Sequence, residues 1–456
     1  MQERTTPHKA PWKRWPVAAL FGGAVVLAIS MTAMGADVPT RAAVIAVFCL
    51  TLWLTGWTPV WIPTLVLWGA TPMLLAFSDA RFQPLKVLQW SADPVLALFL
   101  AGFSLAAAAR RCGVDEQIAA RAIAHAGTSS KRLLITAAFC TALLAMWMSN
   151  VAAAALMLNA FRPIWEREPQ DSPLRRALLL SIALAADVAG IATPIGTGAN
   201  GIAIAAVAPT LPVGFLRWMT FGVPLALLLV AATVGLVLIR LKPSPLQKPL
   251  PAPDAMRPAL HEGAPYRRLG AIFCITILLW LTEPLTGIPA WMVALGSVGA
   301  LLMFRVLGWR DIAKLDWSTL LLVAGGIGLG ALLERSGIIH QFAAGLPIES
   351  VPETIRLLGL CLVAALLAAL MSNTGTAALL IPIAATVDPA PSTAIIVAIA
   401  TSLGMPFVIS TPPNAMAVAC GLRANDLLVP GIILMLGGCV LIALTGPWVI
   451  QLMCAP

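Results

Sequence analysis

Apolar stretches recur along almost the whole chain, and crossing a bilayer core takes about 20 residues of helix. From the N-terminus they predict spans at about 17–35, 40–57, 60–78 and 94–110. A polar segment, 113–130, follows. Two longer blocks come next, each with a polar interruption. Block 131–161 is broken at Ser149-Asn150, and block 174–208 at "GIATPIGTGANG" (190–201). A span at about 219–240 ends this half. Residues 241–268 are Pro-rich and polar, the composition of a linker. Beyond them the pattern predicts spans at about 269–286, 288–305 and 318–334, then a mixed segment, 335–352. Block 353–387 is broken at Ser372-Asn373, block 391–421 at "ISTPPNA" (409–415), and a last span lies near 427–453.

The two halves share this order. "FLAGFSLAAAARRCG" (99–113) aligns with "VAGGIGLGALLERSG" (323–337), Ser149-Asn150 with Ser372-Asn373, and "GTGAN" (196–200) with "STPPN" (410–414). Matches in one order at nearly constant spacing mark an internal repeat. The chain divides into a first half, 1–240, a cytoplasmic linker, 241–268, and a second half, 269–456.

Composition settles the class. The 456 residues are 59% hydrophobic and 11% charged, against about 25% charged in soluble domains. The prediction is an all-α polytopic membrane protein with about 11 transmembrane helices. Two re-entrant hairpins, about 131–166 and 353–387, and two broken helices, about 174–208 and 391–421, complete it. The net charge of +9 sets topology and does not imply a nucleic-acid partner. With the N-terminus cytoplasmic and the C-terminus periplasmic, only Arg41, Arg81, Lys86, Arg217, Arg335 and Arg356 of the 29 Lys and Arg fall outside. Arg111 is then inside and its repeat partner Arg335 outside, so the repeat is inverted. The first apolar run is longer than a signal-peptide core of roughly 7–15 residues and reads as an uncleaved helix of a bacterial inner-membrane protein. The scattered cysteines and four histidines form no metal spacing. Patterns for ATP binding or hydrolase chemistry are missing, so the chain reads as no enzyme and has no catalytic residues.

The polar interruptions carry the chemistry. Backbone at membrane depth must be hydrogen-bonded internally or line a protected cavity. Ser and Asn are N-cap residues, and both Ser-Asn pairs precede good helix formers. A hairpin tip of this kind presents free helix N–H groups to an anion. Pro and Gly in the other two breaks free carbonyls, and carbonyls, hydroxyls and amide oxygens suit a hard cation. Paired broken helices of this type form transporter sites.

At these residues the chain resembles the divalent anion:sodium symporter family, through "SNV" (149–151), "SNT" (372–374), "GTGAN" and "STPPN". The resemblance covers nearly the whole chain. It implies a homodimer with interleaved scaffold and transport domains, moving small dianions by an elevator motion with no cofactor beyond sodium as coupling ion. One sodium ion would lie at Ser149, Asn150 and Gly196, the other at Ser372, Asn373, Ser410 and Pro412. The dianion would be touched by Asn150, Thr197, Asn373, Thr374 and Thr411, with Val151 beside it. The implied substrates are C4-dicarboxylates such as succinate, malate or fumarate; a sodium-independent exchanger and a sulfate or other divalent-anion symporter are the alternatives. The sequence departs from the family pattern at Val151 (for Thr), at Gly198-Ala199 (for Pro-Pro), at Ala145 (for a hydroxyl) and at Asp187. Asp187 stands in an apolar run where the family has a small polar residue, and it is a possible coupling residue.

Overall fold

A computed structural model describes residues 35–114 (except 56), 129–243, 264–338 and 351–454 (except 389), with a few positions between 117 and 124. The expected first span, 17–35, falls almost wholly outside these residues. So do most of the linker and of the segments 113–130 and 335–352.

Among the described residues the longer elements are all helices. In chain order they are α1 (Val38–Thr55), α2 (Ile62–Leu75), α3 (Pro84–Ser91), α4 (Val95–Arg111), α5 (Ser130–Ala145), α6 (Asn150–Ala160), α7 (Pro173–Ala189), α8 (Gly198–Val207) and α9 (Phe215–Leu241). The second half holds α10 (Ala264–Leu281), α11 (Ala290–Met303), α12 (Trp317–Ser336), α13 (Glu353–Leu370), α14 (Asn373–Val387), α15 (Pro391–Thr401), α16 (Pro412–Ala419) and α17 (Ala424–Cys454). Four helices are individually long and apolar enough to cross a membrane: α9, α12, α13 and Ala424–Gln451 of α17. α3 and α4, bent by 49° at their junction, form a fifth candidate. The other expected spans are helices of at most 18 residues, several of which stop at a break or a polar turn. The protein is a polytopic helical membrane protein.

Local chemistry sets the ends. Pro173, Pro391 and Pro412 stand at the first position of their helices, where a missing N–H costs nothing. Gly337, at φ 79°, turns the chain out of α12. The linker is shorter than its composition suggests. α9 runs to Leu241 and α10 begins at Ala264, because polar residues at a helix end need not stop it. Tyr266 reaches Gln117 at 3.3 Å and Arg268 donates to the Phe304 carbonyl at 3.1 Å, so this first turn is tied to its neighbours. α3 had no sequence signal, being eight residues of mixed polarity.

The halves interlock. α4 packs on α11, α12 on α1 and α2, α8 on α14, and α16 on α6 and α7. α5 and α6 pack against each other across the first Ser-Asn tip, as α13 and α14 do across the second. α7 and α15 form the centre, buried from Ala177 to Ala189 and from Thr393 to Thr401. A helix apolar all round belongs in such a place. Ion pairs join residues that the charge pattern puts on one side: Arg111 with Asp311, Arg176 with Asp426, Arg423 with Asp171, and Arg356 with Asp388 at 2.8 Å.

Close backbone packing fixes the centre. A Cβ at Gly404, just past α15, would lie 2.5 Å from the Ala365 carbonyl oxygen and 2.6 Å from the Ala369 nitrogen of α13. Backbone atoms cannot yield as a flexible side chain can. Gly404→Ala should therefore destabilise the protein by about 1–3 kcal/mol, read as a lower melting temperature in detergent. Gly359→Ala, with open space around the missing Cβ, should leave it unchanged or slightly higher.

Candidate functional site

The two hairpin tips are built alike. Ser149 caps α6, its Oγ accepting from Ala152 N at 3.3 Å. Ser372 caps α14, its Oγ accepting from Gly375 N at 3.0 Å. The first N–H groups of each helix, at Asn150 and Val151 and at Asn373 and Thr374, have no partner within their helix. Asn150 Oδ1 and Asn373 Oδ1 are buried and accept no hydrogen bond.

The breaks match in the same way. Thr197 caps α8 by accepting from Asn200 N, and Thr411 caps α16 by accepting from Asn414 N, each at 3.4 Å. Asn200 Nδ2 donates to the carbonyls of Gly190 and Thr193 at 2.9 and 2.8 Å. Asn414 Nδ2 donates to those of Met405 and Phe407 at 3.0 and 3.3 Å. Each Asn staples the unwound segment before its own helix, and its Oδ1 stays buried and unpartnered. Tip and break are then tied together. Thr193 Oγ1 donates to Met146 O at 2.5 Å, and Ser410 Oγ to Ala369 O at 2.9 Å. Met146 and Ala369 each stand three residues before a capping serine. The hydroxyl comes from non-equivalent positions, since Ser410 pairs with Gly196 in the repeat. The Ser410 proton is thus committed to the fold and its Oγ also accepts from Phe407 N at 3.1 Å, so one lone pair and the main-chain carbonyl remain for a cation.

Both tips and both breaks line one cavity of about 160 Å³, small beside the roughly 300–1,000 Å³ typical of drug-sized ligands. Its walls include every expected site residue: Ser149, Asn150, Val151, Asp187, Gly196, Thr197, Ser372, Asn373, Thr374, Ser410, Thr411 and Pro412. Ala145 is fully buried and is not among the lining residues. Gly198 and Pro413 of the breaks line it too, and Phe99, Phe103, Ile195 and Thr319 complete the walls. None of these four had a sequence signal. Asn200 and Asn414 were also missed as site residues, although the Thr-x-x-Asn spacing carried them.

Two departures from the family pattern acquire a physical reading. A Cβ on Gly198 would lie 2.5 Å from Thr374 Oγ1, so the glycine lets the second tip approach the first break. Val151 is 42% exposed and lines the cavity; it keeps its main-chain N–H but offers no hydroxyl. Asp187 is wholly buried, accepts the Thr411 hydroxyl at 2.9 Å through Oδ2, and leaves Oδ1 without a partner. Among the described residues it is the only ionisable one in the lining, which holds no Lys, Arg or His.

Four helix N-termini therefore meet around one cavity, those of α6, α8, α14 and α16. All four dipoles favour an anion, and α6, α8 and α14 add free N–H groups, whereas Pro412 and Pro413 leave α16 none to offer. Each tip-and-break pair also contributes orphaned amide oxygens, Asn150 with Asn200 and Asn373 with Asn414. A buried acceptor without a donor is costly, and a hard cation satisfies it. The residues present thus fit sodium ions as well as an anion.

A family described as "Citrate transporter" matches residues 12–394. A protein of Haemophilus influenzae named an uncharacterized transporter is 30% identical over 435 residues, covering 88% of this chain and 89% of its own. The sodium-dependent dicarboxylate transporter SdcS of Staphylococcus saprophyticus is 27% identical over 420 residues, covering 82% and 80%. Among solved structures, the YdaH transporter of Alcanivorax borkumensis shares the fold, with a TM-score of 0.58 at 14% identity over 86% of this chain and 98% of that one. The chain belongs to the citrate-transporter family and, with the dicarboxylate relative, to the divalent anion:sodium symporter family of integral membrane transporters.

Proposed function

We propose that the protein is a sodium-coupled symporter of small divalent anions, with C4-dicarboxylates such as succinate, malate and fumarate as its substrates. The observation that carries this reading is the duplicated set of orphaned oxygens at the edge of a cavity ringed by helix N-termini. One sodium ion is held at Ser149, Asn150 and Gly196, and a second at Ser372, Asn373, Ser410 and Pro412. The dianion lies between the tips, one carboxylate at each, within reach of Asn150, Val151, Thr197, Asn373, Thr374 and Thr411. Helix N–H groups and the two cations neutralise it in place of arginine. The name of the staphylococcal relative supports both the ion and the substrate class.

Inversion of the repeat turns this site into a carrier. The tips approach from opposite faces of the membrane, so a transport body rising and falling against a scaffold exposes the cavity to each side in turn. The charge distribution supports a cytoplasmic N-terminus and a periplasmic C-terminus in a bacterial inner membrane, and the family pattern supports a homodimer. A sodium-independent exchanger would be expected to place basic groups where the cations sit, and none lines the cavity.

Reconstituted protein should take up labelled succinate when an inward Na⁺ gradient is imposed, and should not when K⁺ replaces Na⁺. Uptake driven equally well by internal dicarboxylate in the absence of Na⁺ would instead establish an exchanger. Asn150→Ala and Asn373→Ala each remove a ligand of a charged group, worth about 1.5–3 kcal/mol, so each should lower kcat/KM about tenfold or more. Val151→Thr should lower KM for succinate about tenfold or more, since one added hydrogen bond to a carboxylate is worth about 1.5–3 kcal/mol; an unchanged KM would place the carboxylate away from this side chain.

A further inference from the structure

The cavity holds one charged group that the paired ion sites do not require. Asp187 lies near the end of α7 with no exposed surface. Its Oδ2 takes the Thr411 hydroxyl hydrogen, while Oδ1 is buried without a partner. In the register that aligns Thr197 with Thr411, its counterpart is Thr401. That hydroxyl donates to the Ala398 carbonyl of its own helix at 2.7 Å. The carboxylate is therefore an addition to one half of a duplicated site.

Its surroundings favour a cation. α7 packs against α6 and α16. On α6, Asn150 holds its unpartnered Oδ1 over Gly190, one turn beyond Asp187, where a Cβ would lie only 2.8 Å from it. Two orphaned oxygens on adjoining helices, one of them on a carboxylate, thus border the same cavity. Among the described residues no basic side chain lines it to neutralise Asp187. An unpaired carboxylate is costly at this depth, and it would repel a dianion bound beside it. Oxygen ligands with one negative charge suit a hard monovalent cation.

We propose that Asp187 binds a further sodium ion, beyond the one at each hairpin tip, through Oδ1, in the cavity that Asn150 also borders. This rests on the symport reading for the other two ions and for the dianion. The added ion screens the substrate from the carboxylate, and each cycle carries one more positive charge than the paired sites alone would move.

The test is equilibrium binding of radioactive sodium to the purified protein in detergent, without substrate, for the native chain, Asp187→Asn and Asp187→Thr. Asn keeps the size of the side chain, and Thr is the residue at the counterpart position. The expected result is one fewer sodium ion per chain at saturation in the variants, with the remaining sites still filled. In proteoliposomes the charge moved per succinate should fall by one. Equal sodium counts in the native chain and in either monodisperse variant would overturn the proposal. Sodium binding that is weakened by Asn373→Ala but untouched at Asp187 would overturn it while leaving symport intact. An Asp187-dependent ion in a protein that moves no dianion would uphold it and remove the symport reading instead.

Discussion

The structure depends on one constraint: backbone that leaves the helical ladder inside a membrane must find other hydrogen bonds. Four breaks meet in the middle of this protein, and each is resolved by side chains of the break itself. Ser149, Thr197, Ser372 and Thr411 cap the helices that follow. Asn200 and Asn414 bridge two carbonyls apiece in the unwound segments before them. At the tips, helix N–H donors and the amide oxygens of Asn150 and Asn373 are left unsatisfied, and these residues line one cavity. The site is the residue of that hydrogen-bond balance, which explains why it offers something to both signs of charge.

Duplication gives the cavity two equivalent ends, which differ from each other in detail. The tip-to-break tie is kept although its hydroxyl has moved, from Thr193 in one half to Ser410 in the other. Gly198 stands opposite Thr374, whereas Pro412 and Pro413 open the equivalent helix, which packs on α6. The second tip therefore brings a hydroxyl against backbone, and the first brings a methyl group into open cavity. The two carboxylates of a substrate would meet unlike surroundings, a basis for choosing among dianions that differ at one end.

Much of this was legible in the sequence. Break positions were readable because Ser-Asn, Gly and Pro are conspicuous in apolar surroundings, and each break sits where the pattern put it. The repeat was readable because its marks recur in order. Helix ends at polar boundaries were less so: α10 starts at Ala264, inside what composition marks as linker, since Tyr266, Arg267 and Arg268 continue a helix as readily as they end one. The Phe99 and Phe103 wall and Thr319 were invisible, because they come from α4 and α12 and reach the cavity only through tertiary packing, Phe99 against Gly201 among it. Nor could the sequence reveal that Asp187 meets Thr411, a contact across 224 positions.

In the proposed symporter, cations and dianion complete one another's binding sites. Titration of succinate into the purified protein, in saturating Na⁺ and in choline with no Na⁺, puts this to the test. The Kd should be at least tenfold lower with Na⁺, a coupling free energy of about 1.4 kcal/mol or more. The same Kd in both solutions would mean that the orphaned oxygens hold no ion that the anion needs, and would contradict it.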